Sequence, residues 1–215
     1  MSTRRRFLLV TASATASATA ASLALPALAQ TRRVLPPMTD GPFYPPRRWR
    51  GDADWDADLT RTGALGPARG EHLAMLVQVA DTRGRTIDGA EVEIWQCDAL
   101  AAYRHPGVRA EPGRFDPGFQ GFGAGRSAAD GSLRFRTIRP VPYPGRTPHI
   151  HVKLRHPSFG ELTSQLFLAG DPGNAQDFLW RRLDAGEQAS LAMQLEPATG
   201  DGLKWQARHA LIVPA

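Results

Sequence analysis

The sequence contains few cysteines, few tyrosines and few long apolar runs. Cys97 is the only cysteine among the 215 residues, so no intrachain disulfide can form. A lone cysteine in a strand-like run is more typical of a small core residue than of a nucleophile. The arginines are scattered without a basic run, which argues against a nucleic-acid partner. The 21 glycines and 18 prolines indicate many turns and few long helices, and favour an all-β architecture.

Residues 1–29 have the pattern of a twin-arginine signal peptide. Three consecutive arginines at positions 4–6 precede apolar residues, an Ala/Ser/Thr-rich stretch follows, and Ala-Leu-Ala at 27–29 is a small-x-small cleavage site. A membrane anchor is the weaker interpretation, because the stretch is only weakly apolar and Pro26 interrupts it. We therefore expect a periplasmic or secreted protein with no membrane span in its mature form. Removing these arginines lowers the formal net charge from +5 to +2.

The mature chain divides into two predicted parts. Residues 30–70 are rich in Pro, Gly, Arg and Asp, which predicts an extended arm, and residues 71–215 predict one domain. Alternating apolar residues and turn signals indicate about seven short strands, with one short helix at 175–183 and long loops at 98–130 and 137–148. This pattern predicts a two-sheet β-sandwich. The strands are expected near 73–79, 90–95, 132–136, 149–154, 163–168, 191–196 and 205–213.

The sharpest chemical signal is the tripeptide His149-Ile150-His151. Residues i and i+2 of a strand point to the same face, so both imidazoles project together while Ile150 faces the core. Two imidazoles about 6–7 Å apart along one strand face can converge on one metal ion. A His-x-His pair alone is weak evidence, since most such pairs are surface or core histidines.

The tyrosines narrow the choice of metal. Of only three in the chain, Tyr103 and Tyr143 lie in the two long loops, and Tyr143 precedes His149 by six residues. Tyrosinate is a hard, anionic oxygen ligand that suits ferric iron better than zinc or copper(I). A bound ferric ion would also remove the phenolic proton, whose usual pKa is about 10. Each tyrosine by itself could equally be an ordinary aromatic with a hydrogen-bonded hydroxyl.

Several segments together resemble one family. The chain is similar, over residues 39–213, to the intradiol ring-cleavage dioxygenases, and most of all to the iron-bearing subunit of the protocatechuate 3,4-dioxygenases. The pattern of a tyrosine, a Tyr-Pro pair and Arg-x-Pro-His-x-His is highly specific. The matching segments are Trp95-Gln96-Cys97-Asp98-Ala99-Leu100-Ala101-Ala102-Tyr103-Arg104-His105, Phe115-Asp116-Pro117, Phe135-Arg136-Thr137-Ile138-Arg139-Pro140, Pro142-Tyr143-Pro144, Arg146-Thr147-Pro148-His149-Ile150-His151, Gln165-Leu166-Phe167 and Gly170-Asp171-Pro172.

The resemblance implies a role for each matching residue. Tyr103 and His149 correspond to equatorial ligands of Fe(3+), and Tyr143 and His151 to axial ones. Arg146 and Gln165 correspond to an arginine and a glutamine beside the substrate. The implied activity is cleavage of a catechol-type ring between its hydroxyls with O2, giving a muconate-type dicarboxylic acid. The tyrosine outside the ligand set, Tyr44 in the arm, is expected either to line the substrate mouth or simply to pack.

Two departures leave the substrate and partners open. Only five residues separate Tyr143 from His149, fewer than in the best-known protocatechuate enzymes, and the long helical N-terminal segment of catechol-type relatives is missing. The chain is expected to form a homo-oligomer or a hetero-oligomer with a related, iron-free subunit. The alternatives are an exported β-sandwich binding module that has lost catalysis, and an enzyme of the same fold that uses another metal.

Overall fold

The structure is a computed structural model that describes residues 32–46, 55–63, 66–108 and 114–215. The signal peptide predicted at 1–29 lies outside the described residues. Within these ranges no helix is long and apolar enough to cross a membrane.

The described residues form nine β-strands in two sheets, with one α-helix. A four-stranded sheet has the order β4-β1-β9-β8, and a five-stranded sheet has the order β3-β2-β5-β6-β7. The predicted all-β sandwich with one short helix is confirmed. The elements are β1 (His72–Asp81), β2 (Glu91–Trp95), β3 (Phe122–Arg126), β4 (Ser132–Ile138), β5 (His149–His156), β6 (Gly160–Leu168), α1 (Ala185–Leu191), β7 (Ala192–Met193), β8 (Glu196–Pro197) and β9 (Trp205–Val213).

The core lies between the two sheets and follows strand alternation. Alternate residues of β1, such as Met75 and Val77, pack with Ile150, Val152 and Leu154 of β5 in one buried cluster. Burial of such side chains stabilises the fold by about 1.5–3 kcal/mol each. The opposite face of β5 is therefore the outer face of the five-stranded sheet, and it carries the two histidines.

Strand β3 falls inside the segment for which the sequence predicts only a loop. Its sequence is Phe-Gly-Ala-Gly-Arg, which has low β-propensity. The glycines are needed for packing: a Cβ at Gly123 would lie 2.3 Å from the Asp56 carbonyl oxygen, and one at Gly125 would lie 2.7 Å from Leu133 Cδ1. Arg126 at the end of β3 forms an ion pair with Glu91.

The helix predicted at 175–183 is wrong, and so is the single strand predicted at 191–196. Two short 3-10 turns, Pro172–Gln176 and Trp180–Arg182, replace the helix, because the Asp177 side chain accepts the N–H groups of the next residues and interrupts helical bonding. The α-helix begins later, where Asp184 and Glu187 form a capping box. The predicted strand divides into β7 and β8, which belong to different sheets.

The first part of the predicted arm runs from the core between the two sheets to the outer face of the five-stranded sheet. Leu35 is fully buried, and the Met38 N–H donates to the Thr163 carbonyl oxygen at 2.8 Å. Asp40 accepts from Lys153 Nζ and from the Thr163 hydroxyl, each at 2.7 Å. These contacts bring the arm to the β5 histidines, where Gly41 lies beside His151. The domain boundary between residues 70 and 71 stays a prediction.

His209 of β9 gives the fold a specific sensitivity to acid. Burial lowers the pKa of His209 to about 4, although its Nε2 lies 2.9 Å from the Ser190 carbonyl oxygen. Above about pH 6.5 the ring is neutral in both states; between there and pH 4 only the unfolded chain binds a proton, so stability falls as pH falls. We expect this one group to contribute a slope of up to about 1.4 kcal/mol per pH unit.

Thermal unfolding of wild type and His209→Asn between pH 7 and pH 4 measures this contribution. The asparagine amide retains a donor for the carbonyl but does not titrate, so the variant should lose less stability than wild type over that range. Equal pH slopes would contradict the assignment.

Candidate metal centre

The centre begins with the two histidines on the outer face of β5. His149 and His151 are each 2% exposed, because loops and the arm cover them. Strand register places His151 directly between Trp95 of β2 and Gln165 of β6. The Trp95 indole stacks on the His151 ring with centroids 4.7 Å apart and planes 10° apart. Alternation thus places both imidazoles on one face as predicted, and Trp95 holds one of them by stacking.

The two loop tyrosines join the histidines from above the sheet. Tyr103 follows β2 and Tyr143 precedes β5, and their ring centroids are 5.5 Å apart. The ring centroid of Tyr143 lies 5.5 Å from that of His149, and the ring centroid of Tyr103 lies 6.3 Å from that of His151. The two imidazole centroids are 4.9 Å apart. The structure therefore brings together all four residues that the sequence proposes as ligands.

The polar atoms of this cluster fit a metal ion. The Tyr103 hydroxyl, His149 Nε2 and His151 Nδ1 are buried and have no hydrogen-bond partner among the described residues. Leaving such groups unsatisfied costs about 1–3 kcal/mol each, so a ligand is expected there. The His149 Nδ1 lies 2.6 Å from the Thr147 carbonyl oxygen. Because a carbonyl only accepts, Nδ1 carries the proton and Nε2 presents its lone pair, the usual arrangement of a metal-binding histidine.

The donor set of the cluster consists of two imidazoles and two phenols. Across the described ranges, no group of three or more His, Cys, Asp or Glu side chains is arranged to hold a metal ion. Two hard anionic oxygens with two imidazoles would suit ferric iron. The residues present fit that ion.

Burial keeps all four groups neutral when no metal is bound. It lowers the pKa of His149 to about 4 and that of His151 well below the usual value. It also raises the pKa of Tyr103 well above 10, with the neighbouring Tyr143 adding to the effect. Burial raises the pKa of Tyr143 too, but the positive charge of Arg146 opposes that rise. Both phenols thus need a cation to release their protons, whereas the imidazoles are ready to bind one.

A buried aspartate shapes the loop that carries Tyr103. Asp98 Oδ1 accepts the N–H groups of Leu100 and Ala102 at 2.8 and 2.9 Å, and Oδ2 accepts that of Asp116 at 2.6 Å. These bonds join the turn after β2 to the distant segment near residue 116. They fix the turn immediately before Tyr103.

The same turn contains a strained residue. Ala101 has φ 62°, in the left-handed region that costs an L-residue about 1–2 kcal/mol. Glycine adopts this conformation freely but loses about 0.5–1 kcal/mol through its greater freedom in the unfolded chain. We expect Ala101→Gly to raise the free energy of unfolding by about 0.5 kcal/mol, measured by urea denaturation.

Ala102→Gly is the matched control for that substitution. Its backbone is not in the left-handed region, so glycine there brings only the entropic penalty and should lower stability. If both variants were destabilised equally, the strain at Ala101 would not be real.

Arg146 and Gln165 meet beside the cluster. Arg146 Nη2 donates to Gln165 Oε1 at 2.6 Å, and Gln165 neighbours His151 across the sheet. Arg146 Nε also donates to Asp177 Oδ2 at 2.7 Å. Sequence reasoning missed Asp177, which lies in the segment mistaken for a helix and has no local pattern that marks it.

Gly41 and Phe43 of the arm cover the site. The Phe43 ring stacks on Tyr103 with centroids 4.5 Å apart and meets Tyr143 edge-on at 6.4 Å. Gly41 has φ +71°, a backbone conformation that favours glycine, and a Cβ there would be in ordinary contact with His151 Cε1 at 3.4 Å. Neither residue was singled out from the sequence.

The Tyr44 side chain contacts charged residues of the sheet and the Trp95 ring. Its hydroxyl donates to Glu93 Oε2 at 2.7 Å and accepts from Arg155 at 3.0 Å, and Lys153 Nζ lies 4.1 Å from its ring centroid. Its ring also meets the edge of Trp95. These contacts favour packing over the predicted role at the substrate mouth, which stays a prediction.

The remaining histidines and the cysteine have structural contacts. Burial raises the pKa of the Cys97 thiol to about 12, so it is no nucleophile. Ring nitrogens of the other histidines contact the Ala68 carbonyl oxygen (His72), the Gly107 N–H (His105), the Ser158 hydroxyl (His156) and the Ser190 carbonyl oxygen (His209).

The chain resembles known proteins in sequence. A family model described as "Dioxygenase" matches residues 39–198. The chain is 36% identical over 131 residues to the protocatechuate 3,4-dioxygenase beta chain of Burkholderia cepacia, covering 57% of this chain and 55% of that one. It is 28% identical over 125 residues to hydroxyquinol 1,2-dioxygenase of Corynebacterium glutamicum, covering 50% and 39%. The chain thus spans about half the length, or less, of these curated relatives.

Solved structures share the fold more completely. The dioxygenase domain of a dioxygenase–carbohydrate-binding protein fusion from Streptomyces sp. SirexAA-E aligns with a TM-score of 0.65 at 28% identity, covering 85% of this chain and 99% of that one. An intradiol ring-cleavage dioxygenase from Tetranychus urticae aligns with a TM-score of 0.65 at 19% identity, covering 85% and 95%, which shows the fold alone. The chain belongs to the intradiol ring-cleavage dioxygenase family.

Proposed function

We propose that the protein is a non-haem Fe(III) intradiol dioxygenase that cleaves a catechol-type ring between its hydroxyls with O2, giving a muconate-type dicarboxylic acid. One observation carries the proposal: Tyr103, Tyr143, His149 and His151 converge, and buried donor atoms among them lack partners. The curated relatives supply the reaction class, since their names describe dioxygenases of protocatechuate, hydroxyquinol and catechol.

Ferric iron would be held by the two tyrosinates and two imidazoles and would act as a Lewis acid and template for the diol. Tyr103 is 6% exposed, whereas Tyr143 is only half-buried and is the ligand that a substrate can reach. The Tyr143 phenolate oxygen is therefore the suitable acceptor for a proton from the diol. The Arg146 guanidinium, held between Asp177 and Gln165, is placed to stabilise negative charge that develops on the ring.

The aromatic ring of the substrate fits the apolar side of the site. Phe43 stacks on Tyr103 and meets Tyr143 edge-on, so a planar ring brought to these ligands would contact its face or edge. The proposed substrate is a small aromatic diol, with the ring substituent left open among protocatechuate, catechol, hydroxyquinol and larger aryl diols. The protein is also proposed to be exported by the twin-arginine route and to form a homo-oligomer or a hetero-oligomer with a related subunit.

Oxygen uptake by the iron-loaded protein tests the proposal. We expect consumption of O2 with at least one member of a panel of catechols, and a ring-opened dicarboxylic acid as the product. Ferric tyrosinate absorbs visible light strongly, so the protein should be wine-red and its colour should shift when catechol is added. Tyr143→Phe should alter the absorption band while leaving the melting temperature close to that of wild type.

The alternatives give different results. A binding module without catalysis would bind catechols but consume no O2. A colourless protein fully occupied by zinc would contradict the iron assignment. An unchanged spectrum in Tyr143→Phe would contradict the ligand role of that tyrosine.

A further inference from the structure

The Asp177 carboxylate joins two segments beside the metal centre. Its side chain is fully buried. Oδ2 accepts from Arg146 Nε at 2.7 Å and from the Thr147 N–H at 3.1 Å, while Oδ1 accepts the N–H groups of Leu179 and Trp180 at 2.9 and 3.1 Å. One oxygen therefore serves the ligand-bearing segment, and the other is anchored in the rigid turn that follows Asp177.

The contact with Arg146 restricts the guanidinium at both ends. Nε is held by Asp177, and Nη2 is held by Gln165, which lies next to His151. The Arg146 Cζ also lies 5.4 Å from the Phe178 ring centroid. An arginine held by a carboxylate, an amide and an aromatic ring has little freedom, so its charge stays in one place near the centre.

The contact with Thr147 connects Asp177 to His149, a proposed metal ligand. Asp177 accepts the Thr147 N–H, and the Thr147 carbonyl oxygen faces His149 Nδ1 at 2.6 Å. The same carboxylate oxygen thus helps to set both the charged group and the backbone that orients the His149 ring. Such supporting contacts typically change metal affinity or activity about 10–100-fold when they are lost.

Asp171 is a second aspartate in the same stretch of chain, and its contacts differ from those of Asp177. Asp171 caps the 3-10 turn Pro172–Gln176 by accepting the Gly173 N–H at 2.8 Å. The Thr147 hydroxyl lies 3.4 Å from Asp171 Oδ1. Its side chain has no contact with Arg146 among those found in the described residues. Asp171 is therefore a matched control for Asp177, with the same residue type in the same stretch of chain.

We propose that Asp177 is a positioning residue of the active site, which directs the Arg146 guanidinium towards the substrate and steadies the Thr147–His149 segment. The inference rests on the proposed dioxygenase function. Asp177 contacts neither substrate nor metal, and acts through Arg146 and Thr147.

The test compares four iron-loaded full-length variants with wild type: Asp177→Asn, Asp171→Asn, Arg146→Lys and the double variant Asp177→Asn/Arg146→Lys. Steady-state oxygen uptake with catechol, or with whichever catechol wild type turns over fastest, gives kcat and KM. Iron content and the visible spectrum report on the centre, and the melting temperature reports on the fold. We expect Asp177→Asn to lower kcat roughly 10- to 100-fold, with a smaller change in KM, and Asp171→Asn to stay close to wild type.

The double variant separates positioning from general support of the fold. If Asp177 acts through Arg146, Asp177→Asn lowers kcat much less in the Arg146→Lys background than in wild type. Equal fold-changes in both backgrounds would overturn the proposal, and so would equal effects of Asp177→Asn and Asp171→Asn. If Asp177→Asn does not fold, Asp177→Glu replaces it in the same comparison, because it keeps the charge but displaces the carboxylate.

Wild type distinguishes a failure of this inference from a failure of the proposed function. Active wild type with an unaffected Asp177→Asn would overturn the positioning role alone. Wild type that holds iron but consumes no O2 with any catechol would overturn both.

Discussion

Replacing His149 by alanine is expected to abolish iron binding and ring cleavage. Its Nε2 is buried without a partner, and its Nδ1 faces the Thr147 carbonyl oxygen, so the ring is already oriented for a metal. Loss of a group that merely supports a ligand costs about 10–100-fold in metal affinity, and loss of the ligand itself should cost more. Iron content by elemental analysis and the visible spectrum of the purified variant measure the effect.

His156→Ala is the control, because it removes the same type of side chain from the other end of β5. His156 is partly exposed, and its Nδ1 contacts the Ser158 hydroxyl at 2.8 Å. This variant should keep the iron, the colour and the activity of wild type. A red, active His149→Ala protein would show that the ligand assignment is wrong.

Replacing Asp98 by alanine is expected to have the second largest effect, on both stability and iron. Three N–H groups, those of Leu100, Ala102 and Asp116, would lose their acceptor; the bond to Asp116 is buried and the other two are partly buried. At about 1 kcal/mol or more for each, the free energy of unfolding should fall by about 3 kcal/mol. The turn that presents Tyr103 would also lose its shape, so iron affinity and colour should fall together.

Asp98→Asn provides a graded comparison. Its amide oxygen can still accept the two N–H groups of Leu100 and Ala102, and only the bond to Asp116 is lost. Urea denaturation and iron titration should place this variant between wild type and Asp98→Ala. If Asp98→Ala kept its stability but lost iron, the carboxylate would act on the metal site by a route other than the turn.

The histidines and the tyrosines of the centre were predictable to different degrees. His149 and His151 follow from local geometry, because alternation along a strand holds wherever the strand lies. Tyr103 and Tyr143 followed from their residue type and from the family pattern around them, but nothing local places two loops over one sheet. Their ring centroids lie 5.5 Å apart, and the turn before Tyr103 is shaped by Asp98, which links it to Asp116, 18 positions away.

Errors in the predicted elements have a shared cause. Strand β3 contains two glycines because Gly123 and Gly125 meet close neighbours, so packing overrides its low strand propensity. The helix expected at 175–183 fails because Asp177 bonds its own backbone and Arg146, 31 positions earlier. In both cases a tertiary contact opposes the local preference.

The sequence by itself determined the sandwich architecture and the core face of β5, because these depend on two-residue periodicity and turn residues, and its motifs proposed the four ligand residues. Only the tertiary structure decided that Phe43 of the arm covers Tyr103, that Trp95 stacks on His151 and that Asp177 holds Arg146. These contacts join residues far apart in the chain, and their partners are chosen by the packing of loops on the outer face of the sheet, which no local pattern of residues specifies.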